Sequence, residues 1–248
     1  MIELSDLNKR YGTIQAVKSL NLVIPKGEIF GFIGPNGAGK TTTIKMLGGI
    51  IAPTSGRVRI CGIDMAEAPE KAKQKIGFIP DRPYLYEKLT AMEFLQFTAD
   101  LYGINRNGFM GSAEAKLRQF SLIDWAVELI ESFSHGMKQR LVMASALLIQ
   151  PEVIVVDEPM VGLDPIAIKM VKELFTHMAE AGTTIFMSTH TLEVAEDVCH
   201  RIGVINNGRL IATGSPEDLM HQAQSIEKDL EAVFLKLTQE STATQMSE

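Results

Sequence analysis

The chain has 248 residues, 46% hydrophobic and 22% charged, with 24 Lys plus Arg against 30 Asp plus Glu for a net charge of −6. That apolar fraction excludes a wholly disordered chain, and the acidic balance argues against a broad electrostatic grip on nucleic acid or anionic lipid. No stretch approaches the ~18 unbroken apolar residues of a membrane span, so any dealing with a membrane is expected to go through a partner rather than by direct insertion. The opening Met1-Ile2-Glu3-Leu4-Ser5-Asp6 is acidic and polar and does not read as a secretory signal. Cys61 and Cys199 lie far apart with no His or Cys at ligand spacing, which fits neither a disulfide framework nor a zinc site and suits a reducing cytosol.

Residues Ile2 to Lys26 alternate short β-type segments with turn signals at Tyr11-Gly12 and Pro25-Lys26-Gly27, predicting antiparallel strands. Ile29-Phe30-Gly31-Phe32-Ile33 reads as a buried strand running into a glycine-rich loop, which opens onto a helix from about Thr41 to Gly48. Val58 to Ile60 and Ile76 to Ile79 read as further short strands. From about 86 to 150 helical periodicity takes over, carried by Phe94, Phe97 and Leu101 and then by Leu117 and Phe120. A polar break at Asn105 to Ser112 interrupts it, and the whole reads as a helical insertion in an α/β frame. Strand signals return at Val153 to Val156 and Thr183 to Met187, with a helix from Ile166 to Ala181 between them. Asn206-Asn207-Gly208 marks a hairpin between Gly203-Val204-Ile205 and Arg209-Leu210-Ile211. Thr238 to Glu248 is a polar tail without periodicity, expected to fray.

Two motifs carry chemistry. Gly34-Pro35-Asn36-Gly37-Ala38-Gly39-Lys40-Thr41 has the spacing of a phosphate-binding loop, continued by Thr42. Its glycines let backbone N–H groups turn toward a phosphate, Lys40 brings a charge to the β/γ-phosphates, and the Thr41 hydroxyl ligates magnesium. The helix that follows adds its positive N-terminal end. Val153-Ile154-Val155-Val156-Asp157-Glu158 is an apolar strand ending in two carboxylates. Beside such a loop, Asp157 holds magnesium through water and Glu158 accepts a proton from the attacking water.

With these motifs the chain resembles, over nearly its whole length, the ATP-binding subunit of an ABC transporter. The resemblance implies a P-loop NTPase of the ABC ATPase type, α/β in class, with an N-terminal antiparallel β subdomain and an inserted α-helical subdomain at about 86–150. Residues 1–237 would form one ATPase domain and 238–248 the tail. Phe133-Ser134-His135-Gly136-Met137 resembles the family signature Leu-Ser-Gly-Gly-Gln, differing at Phe133, His135 and Met137, and it falls 23 residues before Asp157. The resemblance gives Ser134 and Gly136 the γ-phosphate of a partner subunit's ATP; read by itself, the segment is an ordinary helix N-cap. Gly162-Leu163-Asp164-Pro165 resembles the D-loop, placing Asp164 at a dimer interface, and is equally a turn that starts a helix at Pro165. His190, 33 residues after Asp157, matches the switch histidine that contacts γ-phosphate and water, and Tyr11, 23 residues before Gly34, matches the ring that meets adenine.

One place departs from the family in a way that bears on chemistry. Asp81 stands where the family has Gln after the strand Ile76 to Ile79. A carboxylate can still reach magnesium through water but, when ionised, donates no hydrogen bond. Asp81 either senses the magnesium–γ-phosphate group or caps the turn before Tyr84. The resemblance implies an ATPase using ATP and Mg2+, with catalytic Lys40, Glu158 and His190, powering transport through a separate transmembrane permease subunit. It further implies a head-to-tail dimer with a second ATPase subunit, identical or related, lying peripherally on the cytoplasmic, inner face of the cell membrane. The signature wording is similar to that of exporters. The rival reading is an ATP-dependent dimerisation switch without transport, and no nucleic-acid partner is expected.

Overall fold

A computed structural model describes residues 1–105 and 107–222. The tail expected at 238–248 lies outside the described residues. The N-terminal expectation of antiparallel pairing is met by β1 (Ile2–Tyr11) and β2 (Ile14–Ile24), joined by a tight turn at Gly12. With β4 (Ser55–Ile60) and the short β5 (Ile63–Asp64) they form a four-stranded sheet in the order β2-β1-β4-β5.

The second sheet is the larger. It contains β3 (Ile29–Ile33), β6 (Ile76–Ile79), β7 (Val153–Asp157), β8 (Thr184–Thr189), β9 (Arg201–Asn206) and β10 (Arg209–Gly214), in the order β10-β9-β3-β8-β7-β6. All neighbours are parallel except the β9–β10 hairpin. That hairpin turns on Asn207 and Gly208, both at positive φ, as the Asn-Gly pair predicts. The parallel strands are apolar without alternation because both faces are covered. Phe30, Phe32, Val153, Val155 and Phe186 face one core, shared with the antiparallel sheet and α1 (Lys40–Leu47). Ile29, Ile33, Ile154, Val156, Ile185 and Met187 face the other, shared with the remaining helices.

That second core is built by α3 (Ala91–Leu101), α4 (Phe109–Gln119), α5 (His135–Leu148), α6 (Pro165–Glu180) and α7 (Leu192–Val198). Among the described residues, the short α2 (Pro69–Lys73) and α8 (Pro216–Gln222) complete the set of α-helices. Helix α3 starts at a capping box in which Thr90 and Glu93 satisfy each other's backbone N–H. Its buried stripe is Ala91, Phe94, Leu95 and Ala99, not the stripe through Phe97 and Leu101 that the periodicity suggested. Both stripes have helical spacing; only packing against α4 and α5 decides between them, and it leaves Phe97 and Leu101 turned outward. Leu117 and Phe120 are buried as expected, and α4 begins inside the polar break, at Phe109 after Gly108.

Gln139, on α5, has no exposed surface, and neither of its amide atoms finds a hydrogen-bond partner among the described residues. A buried amide without partners costs ~1–3 kcal/mol. Gln139→Met, similar in length and apolar, is therefore expected to raise stability by about 1 kcal/mol or more in urea unfolding. An unchanged or lower midpoint would show that the amide is satisfied in solution.

Candidate functional site

Strands β3, β7 and β8 run parallel, so their carboxyl ends meet on one edge: Ile33 lies opposite Thr189 and Asp157 opposite Ser188. The glycine-rich loop leaves β3 at this edge and α1 leaves the loop at Lys40. The loop is tightly seated. A side chain at Gly34 would run into the Ile205 carbonyl, and Gly39, at φ +113°, has room for no Cβ because the Ala16 carbonyl would stand 2.5 Å from it. Gly39 is also the N-cap of α1 and offers no side-chain acceptor, and the first turn holds no acidic residue. The helix therefore presents its N–H groups and positive end uncompensated to the loop.

An open cavity of about 380 Å³ lies over this edge. It is lined by Asn36, Gly37, Gly39, Lys40, Thr41 and Thr42 of the loop and helix, by Asp81, Asp157, Glu158 and His190, and by Ala16 of β2. Lys40 is almost wholly buried, and its ammonium donates to the carbonyls of Gly34 at 2.6 Å and Pro35 at 3.1 Å. Burial pushes its pKa below the ordinary 10.5, with Glu158 and Asp157 opposing. Asp157 is buried too, and burial pushes its carboxyl above the ordinary 3.8. Hydroxyl groups of Ser188 and Thr41 donate to it and pull the value down, while the charges of Asp81 and Glu158 push it up.

Glu158 adopts φ +51°, a strained backbone for a residue with a Cβ. Its carboxylate meets His190, whose Nδ1 lies 2.9 Å from Oε1 and whose backbone N–H donates to Oε2 at 3.4 Å. Glu158 and His190, the base and the switch histidine expected from the sequence, are thus one hydrogen-bonded pair facing the cavity.

The other expected site residues are elsewhere. Tyr11, near the β1–β2 turn, is exposed, has Lys9 Nζ 5.2 Å from its ring centre, and does not line the cavity. Pro35 and Ala38 shape the loop from outside the cavity wall, with the Ala38 N–H donating to the Pro35 carbonyl at 3.2 Å. Ser134 and Asp164 are exposed N-caps, of α5 and α6, accepting from Met137 N–H at 3.3 Å and Ala167 N–H at 2.9 Å. With Gly136 they stand outside the cavity of their own chain. Two contributors were not singled out from sequence. Ser188 could have been found as the hydroxyl that parallel register places beside Asp157; Ala16, brought in from β2, left no local signal.

The residues present suit a magnesium ion. Thr41 and Ser188 hydroxyl groups already converge on Asp157, and Asp81 shares the cavity, so the donors are hard oxygens of the kind magnesium takes. Among the described residues no group of three or more His, Cys, Asp or Glu could hold a metal alone.

Loop, buried lysine, strand-end carboxylate and helix end together define a P-loop nucleotide-binding site on an α/β sheet. A family model described as ABC transporter matches residues 17–161. The linearmycin resistance ATP-binding protein LnrL of Bacillus subtilis (strain 168) is 39% identical over 219 residues, spanning 88% of this chain and 70% of that protein. Other curated relatives are spanned over 41% to 97% of their length. A solved structure described as an ATP binding subunit of an ABC transporter superposes with TM-score 0.90 at 34% identity, over 96% of this chain and 99% of its own. A dimeric, post-hydrolysis structure of the ATP-binding cassette MJ0796 bound to ADP and Pi gives TM-score 0.76 at 28% identity, over 87% and 98%. The chain belongs to the ABC transporter family, as an ATP-binding cassette with the ATPase fold.

Asp157 yields a pH-dependent prediction. Its folded-state pKa is raised, so the folded protein holds the proton more tightly than the unfolded chain, and ionising it as pH rises costs stability. Asp157→Asn keeps the hydroxyl contacts and removes that charge. The nucleotide-free variant is expected to melt above the parent at pH 7, with the difference vanishing as pH falls through the raised pKa toward 3.8. A parent as stable as the variant at pH 7 would refute this.

Proposed function

We propose that this chain binds Mg-ATP in the cavity, closes head-to-tail on a second ATPase subunit, hydrolyses ATP and drives transport, in the export direction, through a separate transmembrane permease subunit. The observation carrying the proposal is that the expected site residues fall into two groups. Lys40, Thr41, Thr42, Asp81, Asp157, Glu158 and His190 line one cavity, while exposed Ser134 and Asp164 and half-buried Gly136 lie outside it at helix starts. A site needing both groups is completed by a second copy or a related chain. Exposed Val161 and Ile166 flank Asp164, which suits burial against such a partner.

In this reading the P-loop amides and Lys40 hold the β/γ-phosphates, and Thr41, Asp157 and Asp81 hold magnesium, which would neutralise phosphate charge when bound. Glu158 takes the proton of the attacking water; His190, fixed by Glu158, contacts the γ-phosphate. Tyr11, exposed near the β1–β2 turn, meets adenine. Residues 1–237 act as one ATPase domain, with the helices of 86–150 as the subdomain that meets the permease.

Support for a permease contact comes from the surface after Asp81. Tyr84 is 80% exposed and Leu101 68%, and Tyr86 rests edge-on against half-exposed Phe97 with ring centres 5.2 Å apart. Apolar side chains so exposed in one region suit a protein partner. No helix among the described residues is long and apolar enough to cross a membrane. Placement on the inner face of the cell membrane therefore follows from the proposed permease. The name of LnrL, a resistance protein, is consistent with export.

Light scattering tests the dimer. Glu158→Gln leaves the phosphate cradle intact and removes the base, so saturating Mg-ATP should hold it as a dimer twice the 27.3 kDa of one chain. A monomer under those conditions would sink the trans assignment. Steady-state kinetics test the roles within the cavity. Lys40→Ala should weaken nucleotide binding, whereas His190→Ala should spare affinity and lower kcat by roughly 10²-fold, since its contact matters as charge moves at the γ-phosphate. Equal loss of affinity in both variants would show His190 to be misassigned.

A further inference from the structure

We infer that His135 is a positioning residue that ties the catalytic pair of its own chain to the phosphate-facing segment the same chain offers its partner. The inference rests on the proposed trans role of Ser134 and Gly136.

The contact is specific. His135 is the first residue of α5, directly after the N-cap Ser134, and its ring lies beside Gly162, over the face where a Cβ would stand. A methyl group built on Gly162 would stand 2.6 Å from His135 Nδ1 and 3.0 Å from Cε1, so the ring occupies the space a side chain would need. The Gly162 carbonyl also approaches Gly136, where a Cβ would stand 3.1 Å from the oxygen. Gly162 is thus approached by two consecutive residues of the signature segment. Its φ of +78° suits glycine, and its missing Cβ is what admits the ring.

Gly162 is also mechanically close to the chemistry. The loop from Glu158 to Asp164 is a chain of tight turns, with Val161 N–H donating to the Glu158 carbonyl and Leu163 N–H to the Met160 carbonyl, both at 3.3 Å. Glu158 in turn holds His190 at 2.9 Å. A shift of the Glu158–His190 pair, as nucleotide enters or is cleaved, moves Gly162 through these turns. The His135 ring passes that movement to Ser134 and Gly136. A side chain too short to reach Gly162, such as alanine at 135, has nothing to rest on it, and the two segments would then be held only by the Gly136 approach. Tight packing transmits such displacements because close-packed groups cannot deform continuously.

The test compares the full-length parent with His135→Ala and His135→Asn, the latter keeping a polar planar group near the Nδ1 position. Positioning errors of about 1 Å cost up to ~10²-fold in rate, so His135→Ala is expected to lower kcat roughly tenfold with KM for ATP within about twofold. His135→Asn should recover a substantial part of that loss. In nucleotide-free protein, amide hydrogen exchange at residues 160–163 should quicken several-fold in His135→Ala while that of α1 stays unchanged. Unchanged kcat, a proportional rise in KM, no recovery by asparagine, or unaltered exchange at 160–163 would each overturn the inference. Exchange is read on the nucleotide-free chain and decides the contact even if Glu158→Gln forms no ATP-held dimer; that separate failure would remove the trans role and the coupling with it.

Discussion

Parallel register between three buried strands is the constraint on which the rest of this structure depends. Because β3, β8 and β7 are hydrogen-bonded side by side and point the same way, the residues just past their ends come to one edge without further design. The loop after Ile33, the carboxylate of Asp157 and the Ser188-Thr189-His190 segment are all strand-end features. A slip of one residue between β7 and β8 would take the Ser188 hydroxyl off Asp157 and turn the Glu158–His190 contact away. The register is protected by burial: every residue of the three strands is buried, and a slip would swap the residues facing the two cores.

Charge is then placed where the protein alone cannot satisfy it. Asp157, Glu158 and Asp81 face one cavity, with Lys40 the cation nearest them along its lining. Desolvation acts on Lys40 and Asp157 in opposite senses, lowering one pKa and raising the other, because each is denied water at the bottom of the site. Such an arrangement is costly in isolation and becomes favourable when a phosphate chain and a divalent cation share the cavity, since the ligand supplies the missing charge of both signs. The strained φ of Glu158 belongs to the same economy: it turns the carboxylate back onto His190 instead of letting it continue along the strand.

What was legible in the sequence is what local chemistry encodes. The loop Gly34 to Thr41, the apolar strand ending at Asp157 and the Asn207-Gly208 turn each carry their geometry within a few residues, and each stands where it was expected. Long-range packing was not legible. Ala16 reaches the cavity only because β2 crosses Gly39, and Gly34 needs its missing side chain only because β9 brings the Ile205 carbonyl against it. On α3 two stripes had equal periodicity, and the choice of Leu95 and Ala99 over Phe97 and Leu101 was made by neighbouring helices distant in sequence. Tyr11 illustrates the same limit. Its position in the chain matches an adenine-stacking ring, yet the side chain stands out in solvent beside Lys9.

The helix starts show how one motif serves both stability and chemistry. Helices α2, α3, α7 and α8 carry acidic residues in their first turns, the usual complement to a helix dipole. Helices α1, α4, α5 and α6, which begin at Lys40, Phe109, His135 and Pro165, carry none. Each of the last two is instead capped by one short side chain, Ser134 or Asp164, which satisfies a single N–H. Acidic residues within α1 or α5 would stabilise the isolated helix and repel a phosphate chain at its end. Leaving them out gives up a few tenths of a kcal/mol to about 1 kcal/mol per helix in the free chain. The positive helix end is thereby kept for an anion, in the cavity for α1 and across the proposed dimer for α5.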